Sequence, residues 1–97
     1  MERQILDDGG WFDPSASEKW DEKTRWDGRN RISLATGSQW NHEILYRTRS
    51  GTWIVNWWSQ YQGSTETYRQ VDVTEAVAWL IRNKHEIPEG VEAVGEV

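Results

Sequence analysis

The sequence predicts a small α+β domain in which an antiparallel β-meander of three to four strands packs against one C-terminal α-helix. Three observations lead to this prediction. Turn signals recur about every ten residues between Asn30 and Val71, as a meander requires. Apolar residues then recur at helical spacing before Pro88. Eight Trp among 97 residues supply large apolar side chains that offset a hydrophobic content of only 36%.

Four segments have the β-branched and aromatic composition of strands, and they span residues 31–36, 41–48, 52–61 and 65–71. Each of the three intervening turns contains a glycine, which tolerates the positive φ of a tight turn: Gly37, Gly51 and Gly63. Alternation places one set of third-strand side chains toward the helix: Trp53, Val55 and Trp57. The opposite face then carries Ile54, Asn56, Trp58 and Gln60.

The helix is predicted to follow Thr74 as its N-cap and to stop before Pro88, which prevents continuation beyond Ile87. Its apolar face is predicted to contain Val73, Ala76, Val77, Leu80 and Ile81. Trp79 falls at the edge of this stripe, so we expect it at the rim and partly exposed.

The chain is predicted to divide into three parts. Residues 1–29 lack sustained periodicity and are expected to be irregular, apart from a short helix capped by Asp13 and opened by Pro14. The aromatic residues of this segment are expected to pin it across the sheet, with exposed anchors for a partner as the alternative: Trp11, Phe12, Trp20 and Trp26. Residues 30–87 form the meander and helix, and residues 88–97 form an acidic tail.

The charge is distributed unevenly along the chain. The net charge of −5 arises from −3 in residues 1–29, +2 in residues 30–85 and −4 in residues 86–97. Phosphate binding depends mainly on positive charge, so direct DNA binding by this chain alone is not expected.

Several classes of function lack their residues. The chain has no cysteine, which excludes disulfides, thiolate metal sites and a thiol nucleophile. His42 and His85 are far apart and predict no metal site, and Ser38 and Ser50 lack a nucleophile motif. We therefore predict no catalytic residue, no metal and no cofactor. The start of the chain lacks the apolar core of a signal peptide, and no run approaches the ~18 apolar residues of a membrane span, so we predict a cytoplasmic protein without membrane association.

The tryptophan-rich surface is the remaining candidate for function. Trp57 and Trp58 must point to opposite faces of their strand, so one of them is free to reach a surface. Trp, Tyr and Arg are enriched at interface hot spots, and this gives six candidate partner-binding residues: Trp58, Trp40, Arg47, Arg49, Tyr61 and Trp79. Two alternatives remain open, because Trp58 is either exposed or covered by the N-terminal segment through Trp20 or Trp26.

Several segments also resemble a known group of proteins: residues 25–33, 36–43, 45–48, 51–53, 58–64 and 76–83. The sequence is similar to small bacterial proteins common on mobile elements, some of which carry a C-terminal ribbon-helix-helix segment, as antitoxins and small repressors do. The resemblance implies a compact sensor or interaction module. Only nine residues follow Pro88, and they are too few for a ribbon-helix-helix.

These observations favour a non-enzymatic protein-interaction module of the antitoxin or small-regulator type, which acts by binding a toxin-like or nuclease-like partner. One alternative is a phage or mobile-element inhibitor of a host defence nuclease, with the acidic ends imitating nucleic acid. A second alternative is binding of a nucleotide or single-stranded nucleic acid on an exposed Trp58 beside Arg47 and Arg49.

Overall fold

A computed structural model describes residues 2–91 of the chain, and most of the predicted acidic tail lies outside these described residues. The strands are β1 (Gln4–Ile5), β2 (Trp11–Phe12), β3 (Glu18–Asp21), β4 (Thr24–Trp26), β5 (Arg31–Ser33), β6 (Asn41–Arg47), β7 (Trp53–Ser59) and β8 (Thr67–Val71). A 3-10 helix, Pro14–Ala16, follows β2, and α1 spans Val73–Arg82. The central element is an antiparallel sheet with the strand order β3-β6-β7-β8, and two small hairpins, β1-β2 and β4-β5, accompany it.

The predicted meander is formed by β6, β7 and β8, which pair consecutively. The β6–β7 turn closes as the sequence predicts, with Gly51 at a φ of +85° and its N–H donating to the Thr48 carbonyl at 2.9 Å. The α+β class, with an antiparallel sheet and a single C-terminal helix, is thus confirmed for the described residues.

The fourth strand comes from an unexpected part of the chain. It is β3, which lies in the segment predicted to be irregular and places Trp20 opposite Leu45 on β6. Residues 31–36 do not join the main sheet, because β5 ends at Ser33 and pairs only with β4. The Ser33 hydroxyl accepts hydrogen bonds from the N–H groups of Ala35 and Thr36, which bends the backbone out of strand geometry.

The two faces of the sheet pack against different elements. Toward α1, the buried cluster consists of Leu45, Trp53, Val55, Val71, Ala76, Trp79 and Leu80. On the opposite face, the β1-β2 hairpin contributes Leu6 and Phe12 to a second cluster with Tyr46 and Ile54. The predicted alternation of β7 is confirmed for Trp53 and Val55, whereas Trp57 is half-buried and stays outside the core cluster.

The ends of α1 differ from the prediction. The N-cap is Asp72, whose carboxylate accepts the Glu75 N–H at 2.8 Å, so Thr74 lies inside the first turn. The helix ends at Arg82, five residues before Ile87. Lys84 takes a φ of +62°, and the His85 N–H donates to the Leu80 carbonyl, which together form a Schellman-type C-terminus.

The buried face of α1 is rotated relative to the predicted stripe. Trp79 is 1% exposed, while Ile81 is 61% exposed. The rotation is possible because the indole N–H of Trp79 donates to Glu43 Oε1 at 3.0 Å, and a buried indole requires such a partner. The expected rim position of Trp79 is therefore wrong. No helix in the described part of the chain combines the length and hydropathy needed to cross a bilayer.

Candidate functional site

A groove remains open on the sheet face opposite α1, because the β1-β2 hairpin covers only one end of that face. The groove has a volume of about 590 Å³ and is lined by Ile44, Tyr46, Asn56, Trp58, Ser59, Ser64, Glu66 and Tyr68. We call it the aromatic groove. Antiparallel register explains its composition, since Ile44 and Tyr68 both lie directly opposite Asn56.

Trp40 and Tyr61 form an exposed aromatic pair beside the groove. Their exposed fractions are 41% and 58%, and their ring centroids are 5.5 Å apart. The pair adjoins the groove through Ser59 and Ser64: the Tyr61 N–H donates to Ser59 Oγ, and Ser64 Oγ donates to the Tyr61 carbonyl. The Trp40 N–H donates to a further serine, Ser38, at 2.9 Å. These hydrogen bonds fix the backbone from which the two large exposed side chains project.

Glu66 supplies the negative charge of the aromatic groove, and two neighbours orient it. Asn56 Nδ2 donates to Glu66 Oε1 at 3.0 Å, and the Tyr68 hydroxyl donates to the same oxygen at 3.1 Å. Asn56 lies within β7 and is only 3% exposed, so the packing of the sheet fixes its position. Burial, and then the hydrogen bond to Glu66, raises the pKa of Tyr68 to about 12, so this hydroxyl stays a donor at neutral pH.

His42 lies opposite Trp58 on the neighbouring strand and packs against it. The imidazole stacks on the indole with centroids 5.5 Å apart, and its Nδ1 lies 2.7 Å from Glu22 Oε2. Glu22 is held in turn, since its Oε1 accepts from Ser33 Oγ and from the Glu43 N–H, both at 2.8 Å. This chain of contacts fixes the orientation of His42 and restricts the rotamers of Trp58.

The same cluster does not have the geometry of a hydrolase. A catalytic triad places the histidine between the nucleophile and the carboxylate, whereas here Glu22 lies between Ser33 and His42. Ser33 is also 1% exposed, out of reach of a substrate. Within residues 2–91, no three His, Asp or Glu side chains converge as metal ligands would.

The structure divides the six predicted partner-binding residues. Trp58 lines the aromatic groove, and Trp40 and Tyr61 adjoin it. Trp79 is buried in the core, where a partner cannot reach it. Arg47 and Arg49 belong to a different part of the sheet.

Arg47 lies at the opposite end of β6 from His42 and Trp58, about 17 Å away along the strand. Its side chain is on the α1 face, where it pairs with Glu18 at 2.6 Å and lies over the Trp20 and Trp53 rings. Arg49 lines a separate cavity of about 490 Å³ beside the β1-β2 hairpin, together with Asp8 and Asp13. The expected cluster of Trp58 with two arginines is therefore wrong.

The N-terminal tryptophans leave Trp58 uncovered. Trp20 packs against Trp53 on the α1 face, with ring centroids 5.5 Å apart. Trp26 is 58% exposed on the β4-β5 hairpin, and Trp11 is 51% exposed beneath the Arg3 guanidinium. Trp58 is therefore covered by neither Trp20 nor Trp26, and its half-buried side chain lines the aromatic groove.

Sequence reasoning missed four residues of the groove, Ile44, Asn56, Glu66 and Tyr68, and it missed His42, which stacks on Trp58. Alternation does place Asn56 and Trp58 on one face, but their neighbours follow only from the strand register. Comparison of the chain with family models, with curated proteins and with solved structures found no match.

Proposed function

We propose that this chain is a non-enzymatic protein-interaction module that binds a partner protein on the aromatic groove and the adjoining pair of Trp40 and Tyr61. The observation that carries the proposal is the continuity of these two features, which Ser59 and Ser64 join. Trp and Tyr contribute disproportionately to binding free energy at interfaces.

The rigidity of the surface supports the same proposal. Trp58 is stacked on His42, and Trp40 and Tyr61 are packed together and bonded through their backbones. Side chains that are already ordered lose little conformational entropy when a partner arrives. A permanently exposed aromatic pair has an energetic cost for the isolated chain, which burial in an interface would recover.

The class of partner is a further part of the proposal. The sequence resemblance to small mobile-element proteins supports an antitoxin or small-regulator role, in which the module occludes a toxin-like partner. We place this binding in the cytoplasm, with which a cysteine-free composition is compatible. Nucleotide or nucleic-acid binding at Trp58 has lost its support. The two arginines expected beside Trp58, Arg47 and Arg49, lie at the other end of the sheet.

The proposal is tested with one substitution in the surface and one matched control outside it. A tagged chain is used to recover a stoichiometric partner from the native host, and the affinity of the purified partner is measured by calorimetry. Trp40→Ala should weaken binding at least tenfold, as hot-spot truncations do. Trp26→Ala removes a tryptophan of similar exposure on the β4-β5 hairpin and should leave the affinity unchanged.

Equal losses in the two variants would contradict the proposed surface, and recovery of the chain alone would contradict a protein-binding role. The nuclease-inhibitor alternative predicts a different result. Binding through acidic mimicry should weaken steeply between low and high salt and should be insensitive to Trp40→Ala.

A further inference from the structure

We infer that the aromatic groove is a subsite for a guanidinium group, and that the partner inserts an arginine side chain between Trp58 and Glu66. This inference rests on the proposed function and names the chemistry of the partner. The groove is lined by three aromatic rings and one carboxylate, and no lysine or arginine is among its lining residues. An anionic, aromatic lining is complementary to an organic cation.

The hydrogen-bonding state of the lining explains why the cation should carry several donors. Asn56 already uses its Nδ2 protons on Glu66 and on the Thr67 carbonyl. Tyr68 and Ser64 likewise direct their hydroxyl protons to Glu66 and to the Tyr61 carbonyl. The polar side chains around Glu66 therefore present mainly oxygen lone pairs, which suit a ligand with many donors.

Glu66 is prepared for such a ligand. Its Oε1 takes both internal hydrogen bonds, whereas its Oε2 accepts none from the described residues. A carboxylate held in place by two donors, with one oxygen left for a ligand, is a preorganised acceptor for a charge-assisted hydrogen bond. Its exposure at the groove edge allows a side chain from outside to reach it.

The side chains that line the groove favour a guanidinium over an ammonium group. A guanidinium is planar, has five N–H donors and stacks on indole rings, whereas an ammonium is a compact and strongly hydrated point charge. Trp58 lines the groove, and the stacked His42 restricts its rotamer. Stacking on Trp58 with N–H groups directed at Glu66 Oε2 and Ser64 Oγ uses the features that the groove presents.

The experiment uses short blocked peptides as probes. The full chain is titrated with acetyl-Gly-Arg-Gly-amide, and the Trp58 indole N–H signal is followed by NMR after assignment with Trp58→Phe. Matched peptides replace arginine by citrulline, which keeps the shape without the charge, or by lysine. We expect a saturable shift of the Trp58 signal with the arginine peptide, and at least tenfold weaker binding of the other two.

Two variants complete the test. Glu66→Gln keeps an oxygen for Asn56 and Tyr68 but removes the charge, and it should weaken binding of the arginine peptide at least tenfold. Glu86→Gln makes the same charge change beyond the C-terminus of α1 and should leave binding unchanged. Equal binding of the arginine and citrulline peptides, or equal effects of the two variants, would overturn the inference.

Failure of this inference and failure of the proposed function give different results. If Trp40→Ala abolishes partner binding while Glu66→Gln does not, the surface stands and the guanidinium subsite is wrong. If the arginine peptide binds with the expected selectivity but neither Trp40→Ala nor Glu66→Gln affects the partner, the groove binds guanidinium but the proposed surface is wrong.

Discussion

Substitution of Trp79 by Phe tests the buried contact that sets the orientation of α1. The change removes the indole N–H that Glu43 accepts and leaves a smaller ring in a position that is 1% exposed. Loss of a hydrogen bond to a charged group costs about 1.5–3 kcal/mol. The smaller ring adds on the order of 1 kcal/mol, since full truncation of a buried Trp costs about 3–5 kcal/mol. We expect the free energy of unfolding to fall by about 3 kcal/mol.

Urea unfolding followed by circular dichroism measures this loss. With a slope of about 1 kcal/mol per M for a small domain, the midpoint should fall by about 3 M. The companion variant Glu43→Gln keeps an oxygen acceptor for the indole and removes the charge. In the Glu43→Gln background, the loss of unfolding free energy caused by Trp79→Phe should therefore be smaller by at least about 1 kcal/mol. In that background no charged carboxylate loses its hydrogen-bond donor. A cost below about 1 kcal/mol, or the same cost with and without Glu43→Gln, would refute this account of the helix orientation.

The charge of Glu43 also predicts a dependence of stability on pH. Burial is the main cause that raises the pKa of Glu43 above its ordinary value of 4.5, so the folded chain binds this proton more tightly than the unfolded chain does. The corresponding stability is present below the unfolded pKa and is lost as the pH rises through the folded pKa. The stability of Glu43→Gln relative to that of the wild type should therefore increase with pH across that window and then become constant. A relative stability that is the same on both sides of the window would contradict the half-buried position of the carboxylate.

Two further predictions concern the helix cap and the aromatic groove. Asp72→Ala should lower the free energy of unfolding by about 1 kcal/mol, because Asp72 accepts the Glu75 N–H. Thr74→Ala should change it by less than about 0.5 kcal/mol. Equal losses in urea unfolding would argue against Asp72 as the N-cap. Glu66→Gln should lower the pKa of Tyr68 from about 12, because it removes a nearby negative charge. An ultraviolet titration between about pH 10 and 12 should show earlier ionisation in the variant, and an unchanged curve would contradict the contact between Tyr68 and Glu66.

The parts of the fold that sequence reasoning predicted are those with strong local patterns. Alternation along β6 and β7 separates Leu45 and Val55 from Tyr46 and Ile54, and the two pairs lie on opposite faces of the sheet. The turn at Gly51 is encoded locally, because its φ of +85° strongly favours a residue without a side chain. These signals are sufficient for the meander and for the existence of α1.

The elements that escaped prediction are short or depend on distant partners. β1 and β2 have two residues each, too few for any period to be recognised. β3 is a strand because Trp20 pairs with Leu45, and its local sequence does not contain that information. Periodicity predicts Trp79 at the rim because it ignores hydrogen bonds, whereas Glu43 from β6 makes its burial possible.

The candidate site was predictable only in part for the same reason. Trp58, Trp40 and Tyr61 stand out by residue type, and all three lie at the aromatic groove or beside it. Glu66 has no distinguishing local pattern, and its role follows from the β7–β8 register that brings Asn56 beside it.

The proposed binding surface is tested most directly by mapping the bound partner on the tryptophan indole signals. Each indole N–H gives its own NMR signal, and tryptophans are distributed over the aromatic groove, the core and both hairpins. On addition of the purified partner, the signals of Trp40 and Trp58 should shift or broaden, while those of Trp11 and Trp26 should keep their positions. Perturbation of Trp11 or Trp26 with unchanged Trp40 and Trp58 signals would place the interface elsewhere and contradict the central claim.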